Sequence, residues 1–476
     1  MKNHTLLTDL YQLTMMNGYL ENNIHKDQVV FDMFFRKNPC DNSFTIIAGI
    51  EQVIDYIQQL KFDEEDLEYL RGLKLFSDDF LNILKNFKFT GTIYSVEEGS
   101  IMFPHEPIMR VKATSLEAQL IETAMLNIIN FQSLIATKAA RVCEAAKGDS
   151  VFEFGLRRAQ GPDAAIYGAR AAYIGGCAGT SNVLAGKMFG IPVSGTQAHS
   201  WIQKFDSELE AFRAYGRVYP DSCLLLVDTY DTLRSGVPNA IKVFKELREA
   251  GHEPIGIRID SGDIAYLSQE ARGLLREAGF GNVKIVASSD LDENTIYSLK
   301  MQQAEIDGWG VGTNLITSSG CPALGGVYKL SAVEANGKLI PKIKISENPE
   351  KITNPGYKKV LRIYNDSSYA EADLIMLEDE VIDEDKPLTI FHPTYTWKRK
   401  TFYSYRLKEM LVPMFIDGAL KYRRKTVDEI RNYAQKELSS LWPQYRRLNR
   451  PQVYKVDLSK KLWDLKNSMV NSYRED

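Results

Sequence analysis

Cysteine is scarce. There are five cysteines in 476 residues, at Cys40, Cys143, Cys177, Cys223 and Cys321, with no CxxC pair. Scattered cysteines in odd number argue against a disulfide framework and against a thiolate zinc site, so reduced thiols in a cytoplasmic protein are expected. Histidine is as rare, at six residues. No excess of basic charge exists either: 58 Lys and Arg against 62 Asp and Glu leave a net charge of -4, which excludes a global field for nucleic acid. No apolar run approaches the length of a membrane span. The opening MKNHTLLTDLYQ lacks the apolar core of a secretory signal. There is no internal repeat and no low-complexity tract. What remains, 44% hydrophobic and 25% charged, is an ordinary globular composition with length for two or three domains.

Residues 151–201 organise the chain. Val151 to Phe154 reads as a buried strand that stops at Gly155, with Arg157 and Arg158 just beyond. Pro162 opens an Ala-rich helix ending at Gly175 and Gly176. The turn Gly179-Thr180-Ser181-Asn182 precedes a second helix ending at Gly190. Ile191 to Ser194 reads as another strand, delivering Gly195, Thr196, His199 and Ser200. Helix starts favour anions. The stretch therefore suits an anionic substrate with an aromatic face, or else a core βαβ unit whose polar residues are caps.

Before residue 115, strands and helices mix without alternation (strands at Val29–Phe35, Thr92–Val96 and Ile108–Ala113), which predicts an α+β region. From 151 onward they alternate. Strands are expected at Cys223–Val227, Pro254–Ile259, Val283–Ala287 and Ile306–Val311, and helices at Pro238–Ala250, Asp263–Ala278 and Asp292–Gln302. Such βα units imply a parallel sheet. Phe154, Gly195, Asp228, Asp260, Ser288 and Gly310 all fall at C-terminal strand ends, which favours a barrel mouth over one switch point. The last third reads as strands to Met376, an acidic loop at 377–390, and helices at Ser404–Met410, Thr426–Leu441 and Lys460–Met469.

Several constellations could carry chemistry. Asp228-Thr229-Tyr230-Asp231 and Arg258-Ile259-Asp260-Ser261-Gly262-Asp263 set carboxylates beside hydroxyls, a donor set that suits Mg²⁺. Helix N-capping by Asp231 and Asp263 is the competing reading. Gly308-Trp309-Gly310-Val311-Gly312-Thr313-Asn314 exposes backbone N–H groups to a phosphate, but no Gly-Lys-Ser/Thr follows, so it is not a P-loop. Gly175-Gly176-Cys177-Ala178-Gly179 follows a helix and is not GxGxxG, which sets aside a Rossmann site. His199 has no HxH or HxxxH partner, leaving a base, a phosphoryl acceptor or a structural histidine.

LLTDLYQLTM, FFRKNP, FEFGLRRAQGPD, GTSNVLAGKMFGIPVSGTQAHSW, VDTYDT, IRIDSGD, GVGTNLITS and KISENPEKITNPG, in that order, together with WKRK at Trp397, resemble the nicotinate phosphoribosyltransferases. The resemblance runs from about residue 5 to 365. It implies the type II phosphoribosyltransferase fold: an irregular (β/α) barrel over 116–345, an N-terminal α+β open-faced sandwich over 1–115, and an α-rich C-terminal extension over 346–476. It implies a homodimer with shared active sites. The implied reaction joins nicotinate to C1 of phosphoribosyl pyrophosphate, with Mg²⁺ as cofactor and ATP as co-substrate, in NAD salvage. By resemblance Phe154 and Tyr11 sandwich the ring, Tyr11 coming from the other subunit, and Arg157 lies near the ring carboxylate. Thr196 and Arg258 belong to the nicotinate or ribose pocket, and Asp228 and Asp260 to the metal side. Gly310, Gly312, Thr313 and Thr317 belong to the 5′-phosphate loop, and Arg36 and Lys329 to the pyrophosphate. His199 is the histidine that ATP phosphorylates.

The nicotinamide-specific relative carries an aspartate where this chain has Ser181 after Gly179-Thr180. A hydroxyl there can donate to a carboxylate that an aspartate would repel, so the acid is favoured. Quinolinate phosphoribosyltransferase has a shorter chain and needs more cations. A metabolite-binding barrel without turnover is the rival from another class. The intact His199, Arg258 and Asp260 speak against it.

Overall fold

The computed structural model describes residues 3–395 and 397–473. Contacts divide the chain into two compact units, one made of Ile135–Pro322 and the other of Met1–Leu134 with Ala323–Asp476.

The Ile135–Pro322 unit is built on six parallel strands. Their order is Gly179–Thr180, Ser150–Glu153, Gly308–Val311, Lys284–Ser289, Gly256–Ile259 and Leu224–Leu226. Apolar side chains drive this sheet inside: Leu225, Ile257, Ile285, Trp309 and Val311 are fully buried. The pairs Phe152 with Gly310, Gly310 with Ser288, and Val286 with Arg258 keep the strands in step. Because the strands are parallel, every C-terminal end opens at the same edge. Helices Val237–Glu249, Ile264–Glu277 and Glu293–Met301 return the chain between strands, as their periodicity predicts. Asp263 and Asp292 cap two of them, and Asp231 caps the turn ahead of the third, so the capping reading of Asp231 and Asp263 holds.

The first and last strands of this unit are neighbours, as closure requires, yet the closed barrel expected from the sequence is not found. The ladder stops between Gly179–Thr180 and Leu224–Leu226. The strand expected at Ile191–Ser194 shrinks to one bridge, Thr180 with Val193. Pro192 has no N–H to give, and its carbonyl instead accepts from Thr180 N–H at 3.0 Å.

The other unit holds an antiparallel seven-stranded sheet. It places Gln28–Phe35 between Gly326–Ala335 and Met109–Thr114, followed by Thr92–Val96 and Leu411–Ile416. A second, six-stranded sheet is assembled wholly from residues after 357. The C-terminal region is therefore not α-rich as expected. Three helices, Val427–Ser439, Pro443–Arg446 and Lys460–Ser472, accompany that sheet. The expected helix at Ser404–Met410 is instead the strand Arg406–Glu409, paired with Lys358–Tyr364. Its Arg, Leu, Lys and Glu favour helices locally. Packing of Leu407 against the core of Leu361, Ile363 and Ile390 overrides that preference. Among the described residues no helix is long and apolar enough to cross a membrane.

Candidate active site at the strand ends

The C-terminal edge of the parallel sheet carries a connected set of polar side chains. Phe154 follows the first strand, its N–H donating to Val311 O at 2.8 Å. Its ring lies over Gly310, where an added Cβ would come within 2.7 Å of the ring. Glycine is required there for the aromatic to take its place. The same Cβ would approach the Ser288 side chain at 3.3 Å, so the aromatic seat borders the polar group.

Arg258 is the hub of that group. Its Nε donates to Ser288 Oγ at 2.7 Å, its Nη1 to Thr196 Oγ1 at 3.1 Å and its Nη2 to Asp260 Oδ1 at 2.8 Å. Ser288 in turn donates to Asp260 Oδ1. Burial pushes the Asp260 carboxyl up, but the Ser288 hydrogen bond and the Arg258 charge outweigh it and hold the group below the usual range. Asp228 Oδ2 accepts from Asp260 N–H at 3.0 Å and from Ser261 Oγ at 2.6 Å. His199 starts a short helix. Its Nδ1 lies 3.1 Å from Thr229 Oγ1, and its Nε2 lies 3.9 Å from Asp260 Oδ2.

These residues can be tested as a Mg²⁺ site. Asp228 Oδ1 is buried and has no hydrogen-bond partner, and Asp260 Oδ2 points to the half-exposed His199 rather than to a strong donor. Two hard anionic oxygens with unmet capacity fit Mg²⁺, which takes few protein ligands and keeps water and phosphate. Among the described residues no group of three or more His, Cys, Asp or Glu could hold a metal. The fit is to a substrate-completed shell, not to a protein cage.

Gly312 precedes the short helix Thr313–Ile316, and Thr317 Oγ1 donates back to Thr313 O at 2.7 Å. Arg157 lies exposed in the turn Leu156–Arg158. Ser181 is half-buried, its N–H donating to Glu153 O at 2.9 Å. The structure thus joins Phe154, Gly310, Arg258, Thr196, Asp260, Asp228 and His199 through direct contacts. Tyr11, Arg36 and Lys329 belong to the other unit. Tyr11 is half-exposed on the helix Leu10–Glu21. Lys329 stands opposite Asp32 in the strand register, on the strand next to the one that leads into Arg36, whose Nε is buried without a partner. Burial holds the Lys329 ammonium below its usual range, and the Arg36 charge adds to this against the opposing pull of Glu122.

Reading the chain residue by residue missed Ser288 as the bridge of Arg258 to Asp260, Thr229 as the histidine's partner, and Glu153. Ser288 and Thr229 had a signal, since each is a hydroxyl at a strand end. Glu153 had only its oddity as a charge inside an apolar strand.

Three sequence profiles match: the nicotinate phosphoribosyltransferase N-terminal domain over residues 6–130, the family itself over 150–370, and its C-terminal domain over 357–466. A nicotinate phosphoribosyltransferase of Bacillus subtilis (strain 168) is 49% identical over 471 residues, covering 99% of this chain and 96% of its own. One from Caenorhabditis elegans is 38% identical, covering 98% and 93%. The crystal structure of human nicotinic acid phosphoribosyltransferase superposes with a TM-score of 0.86 at 30% identity, over 97% of this chain and 99% of that one. With near-complete coverage by the Bacillus subtilis, Caenorhabditis elegans and human relatives, the chain belongs to the nicotinate phosphoribosyltransferase family.

Proposed function

We propose that this protein forms nicotinate mononucleotide and pyrophosphate from nicotinate and phosphoribosyl pyrophosphate, in the salvage branch of NAD biosynthesis, with synthesis coupled to ATP hydrolysis. The observation that carries this reading is the Arg258–Ser288–Asp260–Asp228 network beside a Phe154 ring seated on glycine, in a chain of this family. The pyridine nitrogen attacks C1 of the ribose, the C1–oxygen bond to pyrophosphate breaks, and pyrophosphate leaves with that electron pair. Phe154 supplies one face for the ring, and Arg157 and Ser181 meet the carboxylate. Arg258 and Thr196 orient base and ribose, while Gly310, Gly312, Thr313 and Thr317 offer donors to the 5′-phosphate. Asp228 and Asp260 would hold Mg²⁺, which when bound neutralises the departing pyrophosphate.

His199 is the phosphoryl acceptor in this reading. An unprotonated ring nitrogen takes the γ-phosphoryl of ATP, ADP leaves, and later hydrolysis of the N–P bond drives synthesis forward. By the family resemblance Tyr11, from a second subunit of a homodimer that works in the cytoplasm, meets the ring, and Arg36 and Lys329 meet the pyrophosphate. The fold is read as an irregular barrel, open at one seam, with an N-terminal open-faced sandwich. The three-part division at 115 and 345 is kept as the functional partition.

Pyrophosphate release from phosphoribosyl pyrophosphate, nicotinate and Mg²⁺, with and without ATP, tests the activity. Its absence under both conditions would favour a binding protein without turnover. Asp260→Asn tests the metal: Mg²⁺-dependent turnover should fall on the order of 10²-fold as one charged oxygen is lost, with the fold intact. Near-normal turnover at low Mg²⁺ would leave Asp260 as an anchor for Arg258 alone.

A further inference from the structure

Glu153 ends the strand Ser150–Glu153 and is fully buried. A buried carboxylate must find donors, because an unpaired one is costly. Glu153 finds two, and each belongs to a different loop. Its Oε1 accepts the N–H of Gly155, at the turn between Phe154 and Arg157. Its Oε2 accepts the hydroxyl of Thr180 at 2.6 Å, one residue before Ser181. The backbone carbonyl of Glu153 accepts Ser181 N–H at 2.9 Å.

The second loop is itself braced. Thr180 Oγ1 accepts Asn182 N–H at 3.0 Å, Asn182 Oδ1 caps the helix Val183–Phe189 through Ala185 N–H at 3.1 Å, and Asn182 Nδ2 donates to Ala165 O at 3.1 Å. Gly155 is equally confined, since an added Cβ would meet Ile316 at 2.5 Å. One carboxylate therefore ties two rigid loops at a fixed separation. Burial holds Glu153 above the usual carboxylate range despite the Thr180 and Gly155 hydrogen bonds.

We infer that Glu153, through Thr180, is a positioning residue for base selection: it sets Ser181 at a fixed distance from Phe154 and Arg157 and so sets the preference for a pyridine carboxylic acid over its amide. This rests on the reading of Phe154, Arg157 and Ser181 as the base pocket. Glutamine can keep the tie, its oxygen accepting from Gly155 and its amide donating to the free lone pair of Thr180, whereas leucine or a valine at 180 cannot.

The test is steady-state kinetics on purified full-length variants with nicotinate and nicotinamide. Thr180→Val and Glu153→Leu should raise the nicotinate KM about tenfold and lower the nicotinate-to-nicotinamide ratio of kcat/KM by a similar factor, with KM for phosphoribosyl pyrophosphate held within about twofold. Glu153→Gln should return both to within about threefold of the parent. Should Glu153→Leu fail to fold, Thr180→Val, which removes one hydroxyl, decides alone. A Thr180→Val enzyme that melts earlier but keeps its nicotinate KM and its ratio overturns the inference and leaves Glu153 structural. Ser181→Ala separates the two levels. If it leaves nicotinate kinetics unchanged, the pocket reading falls and takes this inference with it. If it alters them while Thr180→Val does not, the inference alone falls.

Discussion

Arg258 and Arg362 use the same chemistry to different ends. Arg362 is completely buried. It donates through Nε and Nη2 to Asp373, through Nη1 to Glu437 at 2.8 Å and through Nη2 to Ile101 O at 2.6 Å. Tyr454 and Lys408 satisfy the same two carboxylates from other sides. Arg258 also spends its three donor groups on neighbours, but its carboxylate partner is a third exposed and reaches a histidine that is more exposed still. Asp228 beside it keeps an oxygen with no partner. A guanidinium among carboxylates is therefore no sign of a site in itself. Exposure of the carboxylate and the histidine, at Asp260 and His199, distinguishes the strand-end cluster from the sealed Arg362 network.

The largest effect should come from His199→Ala, which addresses the exposed member of the reactive cluster. ATP hydrolysis and ATP stimulation of synthesis should vanish, while slow ATP-independent transfer persists. Label from γ-phosphate-labelled ATP should appear on the parent as an acid-labile, base-stable adduct and be absent from the variant. Continued labelling would make His199 structural and move the acceptor elsewhere. Next comes the arginine pair. Arg362→Met leaves Asp373 and Glu437 buried without their cation, and should cost about 3–5 kcal/mol in denaturant unfolding. Arg258→Met should cost about 1 kcal/mol or less in stability and should cripple turnover instead. Equal stability losses would erase the distinction between the two clusters.

Ser181→Asp sharpens the comparison within the site. A carboxylate facing the substrate's own, in a pocket that stays partly wet, should weaken nicotinate by roughly 2 kcal/mol and admit nicotinamide. Unchanged nicotinate kinetics would remove Ser181 from the pocket. The last effect, spread over more than two pH units, is in stability against pH. Burial, then the charges of Lys466 and Arg36, lower the His105 pKa from 6.5 to about 4. The unfolded chain then binds the proton more readily between these values, so stability is full above about pH 6.5 and falls as pH drops towards 4, by about 1 kcal/mol per pH unit. His105 has φ +71°, which asparagine tolerates, so His105→Asn should flatten that slope in thermal melts between pH 4.5 and 6.5. An unchanged slope would assign it to other groups.

The sheet-and-helix rhythm after residue 151 was legible because it is local. Apolar runs such as CLLLV and PIGIRI end at Asp228 and Asp260, and helices close at Gly251 and Gly279. Strand-end placement therefore pointed to most of the cluster. What escaped depends on partners distant in sequence. The shortening of the strand expected at Ile191–Ser194 follows from Pro192 facing Thr180, and the strand Arg406–Glu409 from Leu407 meeting Leu361 and Ile390. Ser288 acquires meaning only when register brings it beside Arg258. Glu153 sat in an apolar strand with no local cue that Thr180, 27 residues on, would be its donor.

The split of one unit into Met1–Leu134 and Ala323–Asp476 bears on how the chain is made. The strand Gln28–Phe35 pairs on one side with Met109–Thr114, available early, and on the other with Gly326–Ala335. At about 5–20 residues per second, the ribosome leaves that second edge unpaired for roughly 10–40 s while the intervening unit Ile135–Pro322 emerges. Val29, Phe31 and Phe34 lie along that waiting edge, an apolar template for the wrong partner. The inserted unit is compact in itself and can fold in that interval, so the nascent protein is most exposed to misassociation before its last third is translated.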